Sequence, residues 1–219
     1  ASLGSNTTGN YNVGIGTQAL TLCTTGSNNV AVGNDAAKVV TTAGNIVAIG
    51  INALDACTTG GNNTAVGGFA MDNTTTGSEN VAVGNAALAA NTTGQTNTAI
   101  GYGSLDANTT ASNNTAVGHN SLTSNTTGYD NVAVGRNSQG NMNVGVRNTT
   151  VGSLTLQNAQ DTGSGTPNDN VAVGYAALSD VTMGYQNVAV GKDAGDKITT
   201  GNSNVCVGKG ADVDVATRV

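Results

Sequence analysis

Tryptophan is absent from this 219-residue chain, and phenylalanine, proline and histidine each occur once. Aromatic residues make up 3% of it, so the bulky side chains that ordinarily fill a compact globular core are missing. Only 9% of residues are charged, which sets the chain apart from acidic disordered sequences. The formal net charge is −6, and that balance argues against nucleic acid or an anionic membrane surface as a partner. No apolar run approaches the roughly 18 residues of a membrane span, so membrane insertion is not expected. A single histidine without a partner at metal-ligand spacing leaves no zinc set and no hydrolytic triad. Carboxylates are scattered and form no calcium loop. Neither enzymatic activity nor a cofactor or metal is expected, because no constellation of the required kind can be assembled.

What the chain has instead is a beat. A glycine closes Val-Ala-Val-Gly or a variant of it at Gly16, Gly33, Gly50, Gly67, Gly84, Gly101, Gly118, Gly135 and Gly152, a constant step of 17 residues. After one step of 22 the rhythm resumes at Gly174, Gly191 and Gly208. Such a period predicts an all-β fold, a parallel β-roll or β-solenoid of about twelve 17-residue coils, and a single repeat array over residues 1–219. The longer coil carries an insertion within 153–173, and 209–219 diverge from the repeat. Leu3 and Thr7-Thr8-Gly9 already fit the pattern, so the array is running at residue 1. That uncapped start predicts a fragment, a processed product or a subunit whose end docks on another copy.

Within one repeat, Asn80-Val81-Ala82-Val83-Gly84 reads as a short strand with Val81 and Val83 facing inward and Ala82 outward. The slot of Leu88, shared by Leu20, Leu54, Met71, Leu105, Leu122, Leu156 and Leu178, is expected to supply a third inward residue. Thr-Thr-Gly then turns the chain toward the next strand. The asparagines before the strand, Asn29, Asn63, Asn80, Asn97, Asn114, Asn131 and Asn148, are expected to stack as a structural ladder. Three modest apolar groups per coil make a thin core, and association into a homotrimer would thicken it.

Asn-Val-Ala-Val-Gly-Asn-Ala-Ala-Leu (80–88), Asn-Thr-Ala-Ile-Gly-Tyr-Gly-Ser-Leu (97–105) and Asn-Val-Ala-Val-Gly-Tyr-Ala-Ala-Leu (170–178) resemble the head repeats of trimeric autotransporter adhesins. The form Thr-Thr-Gly-x-x-Asn-Thr-Ala-Val-Gly also resembles repeats in tail fibres of phages and large algal viruses and in bacterial surface proteins. The resemblance covers essentially the whole chain. It implies a left-handed parallel β-roll wound as a trimer and serving as an attachment or spacer structure.

The function expected is a structural fibre or adhesin segment, extracellular, on a cell surface or in a virion fibre. Its partners would be further copies of itself and a cell-surface glycan or protein receptor. A second reading is a subunit of a self-assembling, glycosylated extracellular filament. A third is an ice-binding solenoid, suggested by the recurring Thr-Thr pairs and opposed by the alternation that sends adjacent threonines to opposite faces.

Candidate sites are few. Asn73, Asn91, Asn108 and Asn125 lie in glycosylation acceptor sequences, and the last three share one slot at what reads as a polar corner. Asp161, Thr162, Pro167 and Asn168 belong to the insertion, where a distinctive contact loop is expected. Cys23 and Cys57 occupy one slot two coils apart, about 9.6 Å in a stacked sheet and too far for a disulfide, so they read as small buried apolar groups. His119 sits in a slot so variable that it reads as solvent-facing.

Overall fold

The computed structural model describes residues 1–159 and 166–213. The chain divides into two units, Ala1–Asn113 and Asn114–Val219, and each is a stretch of parallel β-solenoid. The first unit contains β1 (Val13–Ile15), β2 (Val30–Val32), β3 (Val47–Ile49), β4 (Thr64–Val66), β5 (Val81–Val83) and β6 (Thr98–Ile100). The second contains β7 (Thr115–Val117), β8 (Val132–Val134), β9 (Thr149–Val151), β10 (Val171–Val173), β11 (Val188–Val190) and β12 (Val205–Val207). Within each unit neighbouring strands pair in parallel at the repeat step, as in Val30 with Val47, Ala31 with Ala48 and Val32 with Ile49. No α-helix occurs among the described residues. The all-β class, the parallel solenoid and the 17-residue coil are therefore as the sequence led us to expect.

The direction of the strand side chains is the reverse of the expectation. Ala82 is fully buried whereas Val83 is 37% exposed, and the same alternation repeats along both units. The reason is space. At Gly14, the middle position of β1, a Cβ would already stand 3.2 Å from both the Leu3 Cγ and the Ala19 carbonyl oxygen. The slot admits Ala, Gly14, Cys206 or Thr150, but a β-branched pair pointing inward would overfill the coil. Large inward groups come instead from the leucine slot, where Leu20, Leu54, Met71, Leu88, Leu105, Leu122, Leu156 and Leu178 are all buried.

Two backbone devices close the coil. Each of the twelve strand-end glycines has φ between 123° and 142°, a region that L side chains rarely enter. A Cβ at Gly84 would also lie 2.5 Å from the carbonyl oxygen of Gly101 in the next coil. Beyond the glycine, Ala86 and Leu88 adopt left-handed conformations with φ of 55° and 54°. The Leu88 N–H still donates to the Ser104 carbonyl at 2.9 Å, and Leu88 itself is buried, which offsets the cost of its backbone state. The sequence hints at this requirement, because Gly103 and Gly195 stand in these two slots.

The 22-residue step leaves strand register untouched. Val171 pairs with Thr149, and the Leu156 N–H donates to the Ala177 carbonyl at 3.0 Å. At the adjoining corner Arg147 donates to Asp169 through Nε (2.6 Å) and Nη2 (3.0 Å), a two-point pair spanning the same step.

Because the strand-end glycine faces both a steric and a conformational barrier, Gly84→Ala is expected to cost about 3 kcal/mol or more. Gly94→Ala should cost less, since its φ is outside the left-handed region and Ala43 and Ala111 already occupy its slot, although a Cβ there would stand 2.3 Å from the Ala111 carbonyl and 2.4 Å from Asn91 Oδ1 and the corner must shift to take it. Thermal unfolding of the two variants, followed by circular dichroism, checks the order.

Candidate interaction surface

Interior polar groups are committed to holding one coil on the next. The Asn80 N–H donates to Asn63 Oδ1 (2.9 Å), while Asn80 Nδ2 donates to the Gly94 carbonyl of the following corner (2.9 Å). In the second unit Asn131, Asn148, Asn170, Asn187 and Asn204 each donate their N–H to the preceding asparagine's Oδ1 at 3.0 Å. These asparagines are buried, so the ladder is structural, as expected. Ile46 interrupts it. Its N–H is still accepted by Asn29 (3.0 Å), and Asn63 turns its amide to the Gly60 and Gly77 carbonyls. A second row runs along the corner, where Thr24, Thr41, Thr58, Thr75 and Thr92, each opening a Thr-Thr pair, donate their hydroxyls to the carbonyl one coil on, as from Thr75 to Thr92 (3.0 Å).

The predicted glycosylation corner is not a surface. Asn91, Asn108 and Asn125 are buried, and the Asn108 amide donates to Asn91 Oδ1 (2.9 Å) and to the Ala111 carbonyl (3.1 Å). Asn91 donates to Thr74 Oγ1 and the Gly94 carbonyl, and Asn125 to the Gly128 carbonyl. With Nδ2 enclosed and engaged, these side chains have no room for a glycan. Slot comparison carries the signal that motif reading misses, since the same slot holds Cys23, Val40, Cys57, Thr74, Val181 and Ile198, all buried. Asn73 alone of the four is exposed, with Nδ2 donating to the Ala89 carbonyl at 3.1 Å.

Of the expected contact loop, Asp161 and Thr162 lie outside the described residues. Pro167 and Asn168 do not belong to an exposed loop. Pro167 is buried and occupies the corner slot of Gly145, where its carbonyl accepts the Asn148 amide at 2.8 Å. Asn168 is half-buried, accepting the Val146 N–H (2.8 Å) and donating to Thr166 Oγ1 (2.7 Å). His119 is exposed. Among the described residues, no group of three or more His, Cys, Asp or Glu is placed to hold a metal ion. No helix among them is long and apolar enough to cross a membrane.

The feature that stands out is the outward face of the strands. Every outward position of all twelve strands is Val, Ile or Thr, and Thr occurs only at Thr64, Thr98, Thr115 and Thr149. The third strand position is always Val or Ile, and Ile49, Val83, Ile100, Val151, Val173 and Val190 are 36–42% exposed. Solvent-facing slots elsewhere vary without restraint. The slot after the strand-end glycine holds Asn34, Ile51, Gly68, Tyr102, His119, Arg136 and Lys192 in different coils. Each unit thus presents an uncharged face two side chains wide, repeated at the roughly 4.8 Å spacing of paired strands.

Titratable groups lie elsewhere. Burial pushes the Cys57 thiol up to about 11, with the Gly60 carbonyl accepting its hydrogen at 3.2 Å. Asp55 and Asp72 occupy the same slot in consecutive coils, and burial raises both carboxyls above the usual range. Repulsion from Asp55 raises Asp72 further, whereas Lys38 partly offsets the rise at Asp55.

Two measurements follow. A maleimide at pH 8 should leave Cys57 unmodified in the folded chain and label it promptly in denaturant. A raised carboxyl pKa means the folded state takes up its proton before the unfolded state does, so this group's contribution to stability increases as pH falls through the raised value. Asp72→Asn should accordingly raise Tm at pH 7, and the gain should disappear at acid pH where Asp72 is protonated; scanning calorimetry across that range checks it. No family model matches the chain, and neither does any curated protein or solved structure.

Proposed function

We propose that this chain is a non-catalytic structural segment of an attachment fibre or adhesin, carried extracellularly on a cell surface or virion, that works in association with further copies of itself. The observation that supports this reading most directly is the use made of polar side chains. The buried asparagines and the corner threonine hydroxyls are committed to coil-on-coil hydrogen bonds. What repeats from coil to coil and is left for a partner is the outward strand face. A cell-surface glycan or protein receptor is the class of target such a segment would carry a tip toward or bind along its repeats.

Electron microscopy of the full chain, paired with retention of cells and glycan-coated beads by the immobilised protein, tests the proposal. Multi-chain particles together with saturable retention are expected. Isolated single chains that retain neither cells nor glycans would overturn it.

A further inference from the structure

We propose that the β-branched strand face of each unit is the surface on which a second copy of this chain docks, side by side and coil against coil. The inference deepens the self-association proposed above by assigning it a surface. It rests first on an inversion of side-chain size. In nine of the twelve described strands a small Ala points inward and the two larger residues point out, as with Ala82 between Val81 and Val83. A coil built only to stand alone would leave its most apolar strand residues in water, and folding of one chain recovers only part of their burial free energy.

The second ground is restraint. Neighbouring exposed slots accept charge, rings and glycine, yet no charged residue enters an outward strand position in any of the twelve strands. Charge is absent where it would be desolvated and present where it would stay wet.

The third is area. At the observed exposure each strand leaves on the order of 100 Å² of apolar surface in water, so six strands leave roughly 600 Å². That sits at the top of the range for the largest patch on an ordinary monomer, about 300–600 Å², and near the about 800 Å² per partner of a standard interface.

The occupant follows from periodicity. The face offers the same two side chains at every coil, and an aperiodic globular partner would have no use for that sameness. A second copy carries the identical repeat and the same lack of charge, so each coil meets an equivalent coil. An ice surface is also periodic, but hydroxyls are confined to four positions of the first column and are absent from the third.

The test is the mass of the full chain in solution by light scattering and sedimentation equilibrium from about 1 to 100 μM, for wild type and three variant sets. One set carries Val83→Lys, Ile100→Lys, Val173→Lys and Val190→Lys; a second replaces the same four residues with Thr, which keeps the strand-favouring shape. The third carries Thr76→Lys and Thr93→Lys on the exposed corner. Wild type should have two or three times the chain mass, the corner set should match it, the Thr set should associate about tenfold more weakly, and the Lys set at least a hundredfold more weakly. A wild-type monomer with native circular dichroism at 100 μM overturns the proposal. So does association that survives a folded Thr set undiminished, or thermal hysteresis by a monomer that the Thr set alters. Self-association through this face without retention of cells or glycans would sink the attachment reading and leave the docking surface standing, whereas a monomer that still attaches would do the opposite.

Discussion

The asparagine before every described strand but β3 is the interaction on which the rest depends. One side chain accepts the N–H that opens the neighbouring strand and donates to the carbonyl that closes a neighbouring corner, as Asn131 does from Asn148 and to Gly145. Strand register, corner position and coil spacing are thereby fixed by a single group. In an interior of low polarity such a bond is strong when made and costly when missing, which is why the slot tolerates so little variation. The glycine column works beside it by allowing the backbone of one coil to approach the carbonyl of the next more closely than any Cβ permits.

With the polar groups in charge of register, apolar side chains are left to fill a narrow space. Ala at the middle of the strand and Leu beyond the glycine meet across it, and Gly195 illustrates the fit, since a Cβ there would fall 2.8 Å from Leu178 Cδ2. The narrow middle slot of the strand is filled by Ala in nine coils, and the two β-branched residues that give the strand its extended preference stand on its other side. Strand propensity and core volume therefore pull in different directions, and the outcome is a face that is apolar without being core.

Periodicity made the coil length, the strands, the leucine slot and the asparagine ladder legible from sequence. Strand direction was not, because alternation in Val-Ala-Val says which residues share a face and leaves open which face is enclosed; volume decided it at Gly14 and Ala82. The acceptor motifs of Asn91, Asn108 and Asn125 misled for a related reason. A motif of three residues reports local chemistry, whereas the slot these asparagines share with Cys23, Val40 and Cys57 reports where the coil places them. The left-handed states of Ala86 and Leu88 were hidden because such residues rarely adopt them, and the requirement shows only when the slots are compared, where Gly103, Gly195 and Gly210 stand with Asn52, Asn120 and Asn137. In the insertion, Pro167 read as a loop residue since it is the chain's one proline, although its ring simply fills a corner slot usually given to glycine.

The coil between Thr149 and Val171 is five residues longer than its neighbours, and its strand pairing, its asparagine bond from Asn170 to Asn148 and its corner bond from Asn148 to Pro167 are all retained. Stacking is thus indifferent to how much chain is spent between Ala159 and Thr166. For a repeat architecture this amounts to a splice point, a position where extra residues are taken in while the coils on either side remain in step.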